Sequence, residues 1–206
     1  MGVVGKFANE FLFLPLVLIM WKTDMENKEL SEAIFAGGCF WCTEAVFKRL
    51  KGVEKVESGY TGGNIRNPAY REVCTGRTGH AEGVRITYNA GLISYDELLE
   101  VFFATHDPTT LNRQGNDVGT QYRSAVFYKD EEQKEKAVNY IRSLEKEKIY
   151  DSPVVTEVTE AGPFYVAEAD HQDYYERNTS QPYCQVIITP KLRKLKHLYK
   201  DKLETE

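Results

Sequence analysis

The order of apolar patterns in the first two thirds of the chain constrains its fold more than any other feature. Short apolar or alternating runs predict strands, and longer runs with apolar residues every three or four positions predict helices. Strands are predicted at residues 33–36, 53–60, 84–88, 124–128 and 154–158, and helices at 39–50, after Ser94 and at 131–147. Up to residue 128 the order is β-α-β-β-α-β, the split βαβ pattern of a ferredoxin-like core. We therefore expect an α+β two-layer sandwich with helices on one face of a mainly antiparallel or mixed sheet.

Local signals set the helix ends and leave two long loops. Ser94 and Glu97 have the spacing of a capping box, in which each side chain bonds the other residue's backbone N–H, and Gly52 follows the first helix as a stop signal. Polar stretches at residues 61–79 and 106–121 separate the other elements. Connections of this length inside one domain usually carry function, so we expect a site that draws on both loops.

The two ends of the chain differ in character from the part between them. We assign residues 26–190 to one domain, residues 191–206 to a basic C-terminal tail, and residues 1–25 to an apolar leader or a misassigned start. The apolar run within that leader is interrupted by Pro15 and is too short to span a bilayer. We expect a cytoplasmic protein, and the alternative is membrane association or export through residues 1–24.

Charge and cysteine content exclude several classes of function. The net charge is −5, so nothing favours nucleic-acid binding. Four cysteines in 206 residues are too few for a disulfide scaffold, and a zinc site built from Cys39, Cys42, Cys74 and His80 would have irregular spacing. We expect a monomer with no metal and no cofactor, in which the cysteines are either reactive thiols or buried filler.

The segment Gly37-Gly38-Cys39-Phe40-Trp41 lies where a predicted strand turns into a predicted helix. A thiol at a helix N-terminus lies near free backbone N–H groups, which lower its pKa and favour the reactive thiolate. The glycines allow a sharp turn and leave the sulfur approachable. Cys39 is therefore a candidate nucleophile, although free cysteines also commonly fill core space. The two aromatic residues suit an apolar pocket for a methyl or thioether group, and taken alone they would equally suit the core.

Two further polar segments carry candidate site residues. Tyr70 lies in the first long loop, and Glu82 lies where that loop enters a strand. A carboxyl group beside aromatic rings has a raised pKa and can act as an acid, whereas composition alone favours a surface tyrosine and a solvated glutamate. In residues 112–124, amides and glycines surround Asp117 and Tyr122 directly before an apolar strand, as in many ligand-binding loops.

Three motifs, in this order, resemble those of the class A peptide methionine-S-sulfoxide reductases. They are GCFW at residues 38–41, EVCTGRTGHAE ending at Glu82, and NRQGNDVGTQYRS at residues 112–124. The stretch AEADHQDYY at residues 167–175 is also similar to the family. The resemblance spans roughly residues 33–194, and it implies reduction of methionine-S-sulfoxide, free or in oxidised proteins, to methionine.

The resemblance also implies roles for the matching residues. Cys39 would attack the sulfoxide sulfur, release methionine and keep the oxygen as a sulfenic acid. Phe40 and Trp41 would line the pocket for the substrate's methyl group.

In the other two motifs, the resemblance implies an acid and its helpers. Glu82 would protonate the sulfoxide oxygen, with Tyr70 and Tyr122 hydrogen-bonded to it. Asp117 would help to position the substrate.

Regeneration of Cys39 requires a second thiol or an external one. Many family members use a cysteine in a Tyr-Cys context near the C-terminus, and Cys184 after Tyr183 is similar. The resemblance implies thioredoxin as the electron donor. Cys42, three residues after Cys39, is the alternative resolving thiol, and we favour Cys184. Cys74 matches a family position without a catalytic role and is expected to be buried filler.

Other functions stay open on the residues alone. The C-x-x-C spacing also suits a thioredoxin-like disulfide oxidoreductase, which would leave Glu82 and the polar loops unexplained. A cysteine hydrolase would need an imidazole within hydrogen-bond reach of the Cys39 sulfur, from His80, His106 or His171. A small redox-sensing or binding module would leave both polar loops without a purpose.

Overall fold

The computed structural model describes residues 1–2 and 29–204. Apart from its first two residues, the leader expected at residues 1–25 lies outside the described residues. Within the described ranges, no helix is both long enough and apolar enough to cross a membrane.

In these ranges the chain forms eight strands, six α-helices and four short 3-10 or π-helical segments. The strands are β1 (Leu30–Gly37), β2 (Val53–Thr61), β3 (Ala81–Asn89), β4 (Arg113–Gln114), β5 (Asp117–Val118), β6 (Ser124–Tyr128), β7 (Glu157–Glu160) and β8 (Tyr165–Val166). The helices are α1 (Phe40–Phe47), α2 (Tyr70–Val73), α3 (Tyr95–Thr105), α4 (Glu131–Lys146), α5 (Tyr174–Arg177) and α6 (Thr189–Leu198). The short segments are Thr120–Tyr122, Ala169–His171, Cys184–Ile188 and Lys200–Lys202.

Six strands form one mixed sheet in the order β7-β6-β1-β3-β2-β8. Its centre consists of β1, β2, β3 and β6, which pair antiparallel with one another. α1 and α3 connect these strands as the sequence predicts. β7 is parallel to β6, and α4 supplies the crossover that a parallel pair requires. The α+β sandwich with a β-α-β-β-α-β core is therefore confirmed. β4 and β5 form a separate hairpin.

The last predicted strand is displaced along the chain. The pattern predicts residues 154–158, whereas β7 covers Glu157–Glu160. The N–H of Val155 donates to the carbonyl of Pro108 at 2.8 Å, so the second long loop holds the backbone before Glu157. The first pair between β6 and β7 joins Ala125 to Glu157. The branched apolar residues at 154–158 therefore indicated that a strand lies near this position, but they did not indicate which residues pair with β6.

Both long loops contain short regular elements that the sequence pattern does not predict. In the first loop, the Glu72 carboxylate accepts the N–H of Ala69 at 2.8 Å, which caps α2. In the second loop, the β4–β5 hairpin is followed by a 3-10 turn. As a result, Tyr70, Asp117 and Tyr122 lie on hydrogen-bonded elements, which hold their backbones in place.

The main core lies between the sheet and the helices. Successive residues of β1 point to opposite faces: Phe35 is fully buried in the main core, while Ile34 and Ala36 belong to a smaller cluster on the other face. Phe164 packs against that smaller cluster. Each fully buried side chain of this size contributes about 1.5–3 kcal/mol to stability, so the sheet that carries the site is held from both sides.

The capping box predicted at the start of α3 is present. The Ser94 hydroxyl accepts the N–H of Glu97 at 3.2 Å, and the Glu97 carboxylate accepts the N–H of Ser94 at 2.9 Å. Loss of such a cap typically costs about 0.5–2 kcal/mol.

The basic C-terminal segment packs on the same core. It begins within α6, where Leu195 is fully buried. Further on, Leu203 forms an isolated β-bridge with Leu50, and the N–H of Lys51 donates to the carbonyl of Lys202 at 2.9 Å. This segment thereby covers the C-terminal end of α1.

Candidate active site

β1 turns into α1 through Gly38, whose φ is +90°. Glycine is required there because a Cβ would lie 2.5 Å from the Gln114 side chain and because the backbone is left-handed. Cys39 then occupies the N-cap position of α1, and its carbonyl accepts the N–H of Cys42 at 3.1 Å. The predicted placement of Cys39 between a strand and a helix is confirmed.

The pKa of Cys39 differs from the prediction. Cys39 is 8% exposed, and burial raises the pKa of its thiol well above the ordinary value, with Cys42 and the charge of Glu82 raising it further. The N–H of Phe40, the first of α1, donates to Glu82 Oε2 at 3.2 Å, which places the Glu82 carboxyl at the same helix end as Cys39. The sequence predicts a lowered pKa for Cys39, whereas burial in the structure raises it.

A second thiol and a phenol surround Cys39. Hydrogen bonding with Cys39 lowers the pKa of Cys42 to about 7, although burial opposes this, and Lys191 adds to the lowering. The Tyr183 hydroxyl lies 3.7 Å from Sγ of Cys42, bonds Cys39 as well, and donates to Asp117 Oδ2 at 2.9 Å. From the sequence, Tyr183 was noted only as the neighbour of Cys184 and was not predicted as a site residue. That Tyr-Cys context was the one signal that could have placed its phenol in the site.

Glu82 is almost completely buried on β3, opposite Tyr60 of β2. Burial raises the pKa of Glu82 to about 8; the N–H of Phe40 lowers it, and Asp117 and Cys42 raise it. The raised pKa predicted for this carboxyl is confirmed, and the alternative of a solvated glutamate is excluded. At neutral pH the protonated form predominates beside Cys39.

Tyr70 and Tyr122 are partly buried, and both interact electrostatically with Glu82. Burial raises the pKa of each phenol, so both stay neutral hydrogen-bond donors. Tyr122 also faces Cys39. The Tyr70 hydroxyl bonds the thiol of Cys74. The structure thus brings both phenols to the Glu82 side of the site, and Tyr70 is shared with a neighbouring thiol.

Aromatic rings form one wall of the site. Trp41 is partly exposed and stacks on Tyr174, with ring centroids 3.6 Å apart and planes 6° apart. Its indole N–H donates to Nδ1 of His171 at 3.1 Å. Phe40 is fully buried beneath this layer and packs against Tyr60 at 5.8 Å between centroids. The surroundings expected for a methyl group are therefore present, with Trp41 at the surface.

The segment around Glu168 supplies site residues that the sequence did not identify. Glu168 accepts the Tyr60 hydroxyl at 2.9 Å and the N–H of Tyr70 at 2.8 Å. The ring of His171 lies 4.3 Å from that of Tyr70. Similarity of AEADHQDYY to the family marks this segment, but contacts between residues about a hundred positions apart cannot be read from it.

Two other cysteines have opposite environments. Cys184 is fully buried at the start of a π-helical segment that packs against α1. Burial raises the pKa of Cys184, and the charge of Cys42 adds to the rise. Cys74 is exposed, so the expectation that it is buried filler is wrong: it follows α2 in the first long loop. All four cysteines are free thiols.

The three histidines considered as bases for Cys39 are engaged elsewhere. His80 accepts a backbone N–H at 3.1 Å, His106 bonds a backbone carbonyl at 2.6 Å, and His171 accepts the indole of Trp41. Burial lowers the pKa of His106 to about 4. These contacts argue against a cysteine hydrolase. Among the described residues, no group of three or more His, Cys, Asp or Glu side chains is arranged to hold a metal ion.

Known proteins resemble the chain over most of its length. The profile of the peptide methionine sulfoxide reductase family matches residues 31–203. Peptide methionine sulfoxide reductase MsrA from Deinococcus radiodurans is 58% identical over 172 residues, which cover 84% of this chain and 84% of that relative. The MsrA of Chromobacterium violaceum is 55% identical over 175 residues, which cover 85% of this chain and 99% of the relative.

Solved structures agree with the sequence matches. Methionine sulfoxide reductase A of Corynebacterium diphtheriae has a TM-score of 0.64 and 34% identity, covering 74% of this chain and 77% of that chain. The crystal structure of Mxr1 from Saccharomyces cerevisiae in reduced form has a TM-score of 0.70 and 30% identity, covering 79% of this chain and 94% of that chain. With its fold, its motifs and these relatives in agreement, the chain belongs to the peptide methionine sulfoxide reductase family.

Proposed function

We propose that this protein reduces methionine-S-sulfoxide, free or in proteins, to methionine, with Cys39 as the nucleophile and Glu82 as the proton donor. The observation that carries the mechanism is the buried, protonated carboxyl of Glu82 on the first N–H of α1, directly after Cys39. Membership of the family supports the substrate. The protonated carboxyl of Glu82 supports proton transfer to the sulfoxide oxygen as the step that allows its removal.

The reaction consumes no net proton. The Cys39 sulfur attacks the sulfoxide sulfur while Glu82 gives its proton to the sulfoxide oxygen. The hydroxyl then moves to the Cys39 sulfur as the new sulfur–sulfur bond and the original sulfur–oxygen bond both break, so methionine leaves and the oxygen stays on Cys39 as a sulfenic acid. The thiol proton of Cys39 replaces the one that Glu82 has given away, so two neutral groups enter the step and two neutral groups leave it.

The remaining site residues have supporting roles in this proposal. Tyr70 and Tyr122 act as neutral hydrogen-bond donors on the Glu82 side of the site. Asp117 fixes the Tyr183 hydroxyl over the two thiols and so helps to position the substrate.

The substrate's methyl group needs apolar contact and offers no hydrogen bond. Trp41 supplies that contact at the surface of the site, and Phe40 supplies it from below.

The sulfenic acid then reacts with a second thiol, which forms a disulfide and releases water. Cys184 has the Tyr-Cys context of a resolving thiol, but it is buried in a helical segment that would have to move. Cys42 lies within hydrogen-bonding distance of Cys39, so their pairing needs no movement of a remote segment. We therefore place Cys42 first and keep Cys184 as the second candidate.

We propose thioredoxin as the dithiol that reduces the resulting disulfide, and the cytoplasm as the compartment. A dithiol donor restores both cysteines in one exchange sequence. Four cysteines in 206 residues are too few for a disulfide scaffold, which suits a reducing compartment.

The proposed function is tested with a peptide that contains both epimers of methionine sulfoxide and with dithiothreitol as the reductant. We expect consumption of one epimer only by the wild type, no consumption by Cys39→Ser, and nearly full activity in Cys74→Ser, the matched control with an exposed thiol. An inactive wild type, or appreciable turnover by Cys39→Ser, would contradict the proposal.

The resolving thiol is identified by adding one equivalent of sulfoxide without reductant and mapping the disulfide-linked peptides. We expect Cys39 joined to Cys42. A Cys39–Cys184 disulfide would instead identify Cys184 as the resolving thiol, as the sequence predicts. Turnover of Cys42→Ser with dithiothreitol also separates a sulfoxide reductase from a thioredoxin-like oxidoreductase, which would need both cysteines of the C-x-x-C pair.

A further inference from the structure

A second carboxyl group is buried on α1, outside the proposed reaction. Glu44 is 2% exposed, and acidic side chains are rarely so buried unless they are partnered. Its Oε1 accepts the N–H of Asp173 at 3.0 Å, and the backbone of Tyr174 also bonds it. Burial raises the pKa of Glu44 to about 7, although Lys48 lowers it. The neutral carboxyl is thus a populated form at neutral pH.

These bonds hold a left-handed turn. Asp173 has φ +54° and ψ +31°, a conformation that few residues other than glycine, asparagine and aspartate adopt. Such residues persist where their surroundings hold them. The Asp173 carboxylate pairs with Lys48, which lies one helical turn after Glu44. Two side chains, one on α1 and one at its C-cap, therefore hold this turn.

The turn carries the ring that supports the proposed pocket. Tyr174 follows Asp173 directly, and its ring stacks on Trp41 at 3.6 Å. Trp41 and Glu44 are three residues apart on α1, so their side chains share a face. Glu44 therefore lies at one end of a chain of contacts that runs through the 173–174 backbone to the indole.

We propose that Glu44 is a positioning residue that fixes the 173–174 turn and, through Tyr174, holds the indole of Trp41 at the substrate pocket. The inference rests on the proposed function, in which Trp41 lines that pocket. Glu44 touches neither Cys39 nor Glu82 in the contacts of the described residues. Its loss should therefore weaken substrate binding and leave the transfer of oxygen to Cys39 nearly unchanged.

The kinetic test compares Glu44→Ala with Glu44→Gln. Glu44→Ala should raise KM for the sulfoxide peptide about tenfold or more and change kcat by less than about threefold. Glu44→Gln keeps an acceptor oxygen for the Asp173 N–H and should keep KM within about threefold of the wild type. Glu145→Ala, which removes an exposed carboxylate on α4, is the matched control and should change neither constant.

The spectroscopic test needs no turnover. The chain has two tryptophans, so a Trp21→Phe background leaves one indole N–H signal in a nitrogen-15 spectrum. Without substrate, Glu44→Ala should shift that signal and speed its exchange with water, and Glu44→Gln should do neither. If Glu44→Ala fails to fold, Tyr174→Leu removes the stacked ring while keeping Glu44 and should raise KM to the same extent.

An unmoved indole signal in folded Glu44→Ala, or an unchanged KM in Glu44→Ala or Tyr174→Leu, overturns the inference. A wild type without sulfoxide reductase activity would instead remove the proposed function. The indole signal would then still test the link between Glu44 and Trp41, so the two failures can be told apart.

Discussion

Two glutamates of this protein share a residue type, a degree of burial and a bonding pattern, yet the structure gives them different surroundings. Glu82 on β3 and Glu44 on α1 are 1% and 2% exposed. Each accepts a backbone N–H at the start of a helical segment: Glu82 from Phe40 at 3.2 Å, and Glu44 from Asp173 at 3.0 Å. In both cases burial is the largest cause of a raised pKa.

The neighbouring charges separate the two carboxyls. Glu82 has Asp117 and Cys42 nearby, and both raise its pKa further, to about 8. Burial raises the pKa of Glu44 to about 7, and Lys48, the Tyr174 backbone and Arg177 lower it. Burial alone therefore does not make a proton donor. A carboxyl that keeps its proton beside a reacting sulfur can act as an acid, and one that faces a lysine and a backbone turn serves to hold that turn.

The largest expected effect separates the two residues by rate. Glu82→Gln should slow the first turnover by about 10²–10⁴, the usual contribution of a general acid, because an amide cannot donate the same proton. Glu44→Gln should stay within about threefold of the wild type. Rapid-quench measurement of methionine from one enzyme equivalent checks both variants. Equal losses of first-turnover rate in the two variants would contradict the assignment of Glu82 as the acid and Glu44 as a positioning residue.

A smaller effect should appear in the pH dependence of stability. Because the folded pKa of each glutamate lies above its ordinary value of 4.5, its contribution is full below about pH 4.5 and is lost as pH rises through the folded pKa. The stability of the wild type relative to Glu82→Gln should therefore fall by about 1.4 kcal/mol per pH unit up to about pH 8. The stability of the wild type relative to Glu44→Gln should fall in the same way and level off near pH 7.

Urea unfolding of the three proteins at about pH 5, 6, 7 and 8 measures both slopes. A difference from Glu82→Gln that does not change over this range would show that its carboxyl ionises normally in the folded protein. Identical end points for the two variants would show that their neighbouring charges do not distinguish them.

The smallest expected effect concerns Lys48. Lys48→Met should raise the pKa of Glu44 above 7 and leave that of Glu82 unchanged, because Lys48 lowers only the former. Lys48 is partly exposed, so the change in unfolding free energy should stay below about 1 kcal/mol. Carbon-13 titration of labelled glutamates measures both pKa values, with Lys146→Met on α4 as the control. A change in the pKa of Glu82 would contradict this prediction, because it would show that Lys48 also acts on the Glu82 carboxyl.

Much of the fold follows from local sequence because its signals are short-range. Alternation along β1 places Phe35 on one face and Ile34 on the other, and Ser94 with Glu97 caps α3 across a single turn. The register of β7 escapes such signals because a contact with the distant Pro108 holds the chain before it. Hydrogen bonds to remote backbone leave no periodic trace in the sequence.

The candidate site divides in the same way. The motifs predicted Cys39 and Glu82 as site residues, and a carboxyl in an apolar setting predicted the raised pKa that burial gives Glu82. The exposure of Cys74 and the participation of Tyr183 were missed. Both depend on how segments distant in the chain pack together, and residue types within a single loop do not specify that packing.

The sequence by itself determined the strand–helix order, the glycine turn before Cys39 and the family to which the chain belongs. Only the tertiary structure decided the protonation of the thiols and the partners of the buried carboxyls. Burial raises the pKa of Cys39 where the helix N-terminus alone predicted a lower one, and the N–H of Phe40 donates to the remote Glu82. A pKa depends on the water, charges and donors within a few ångströms of an atom, and here most of those come from segments distant in the chain.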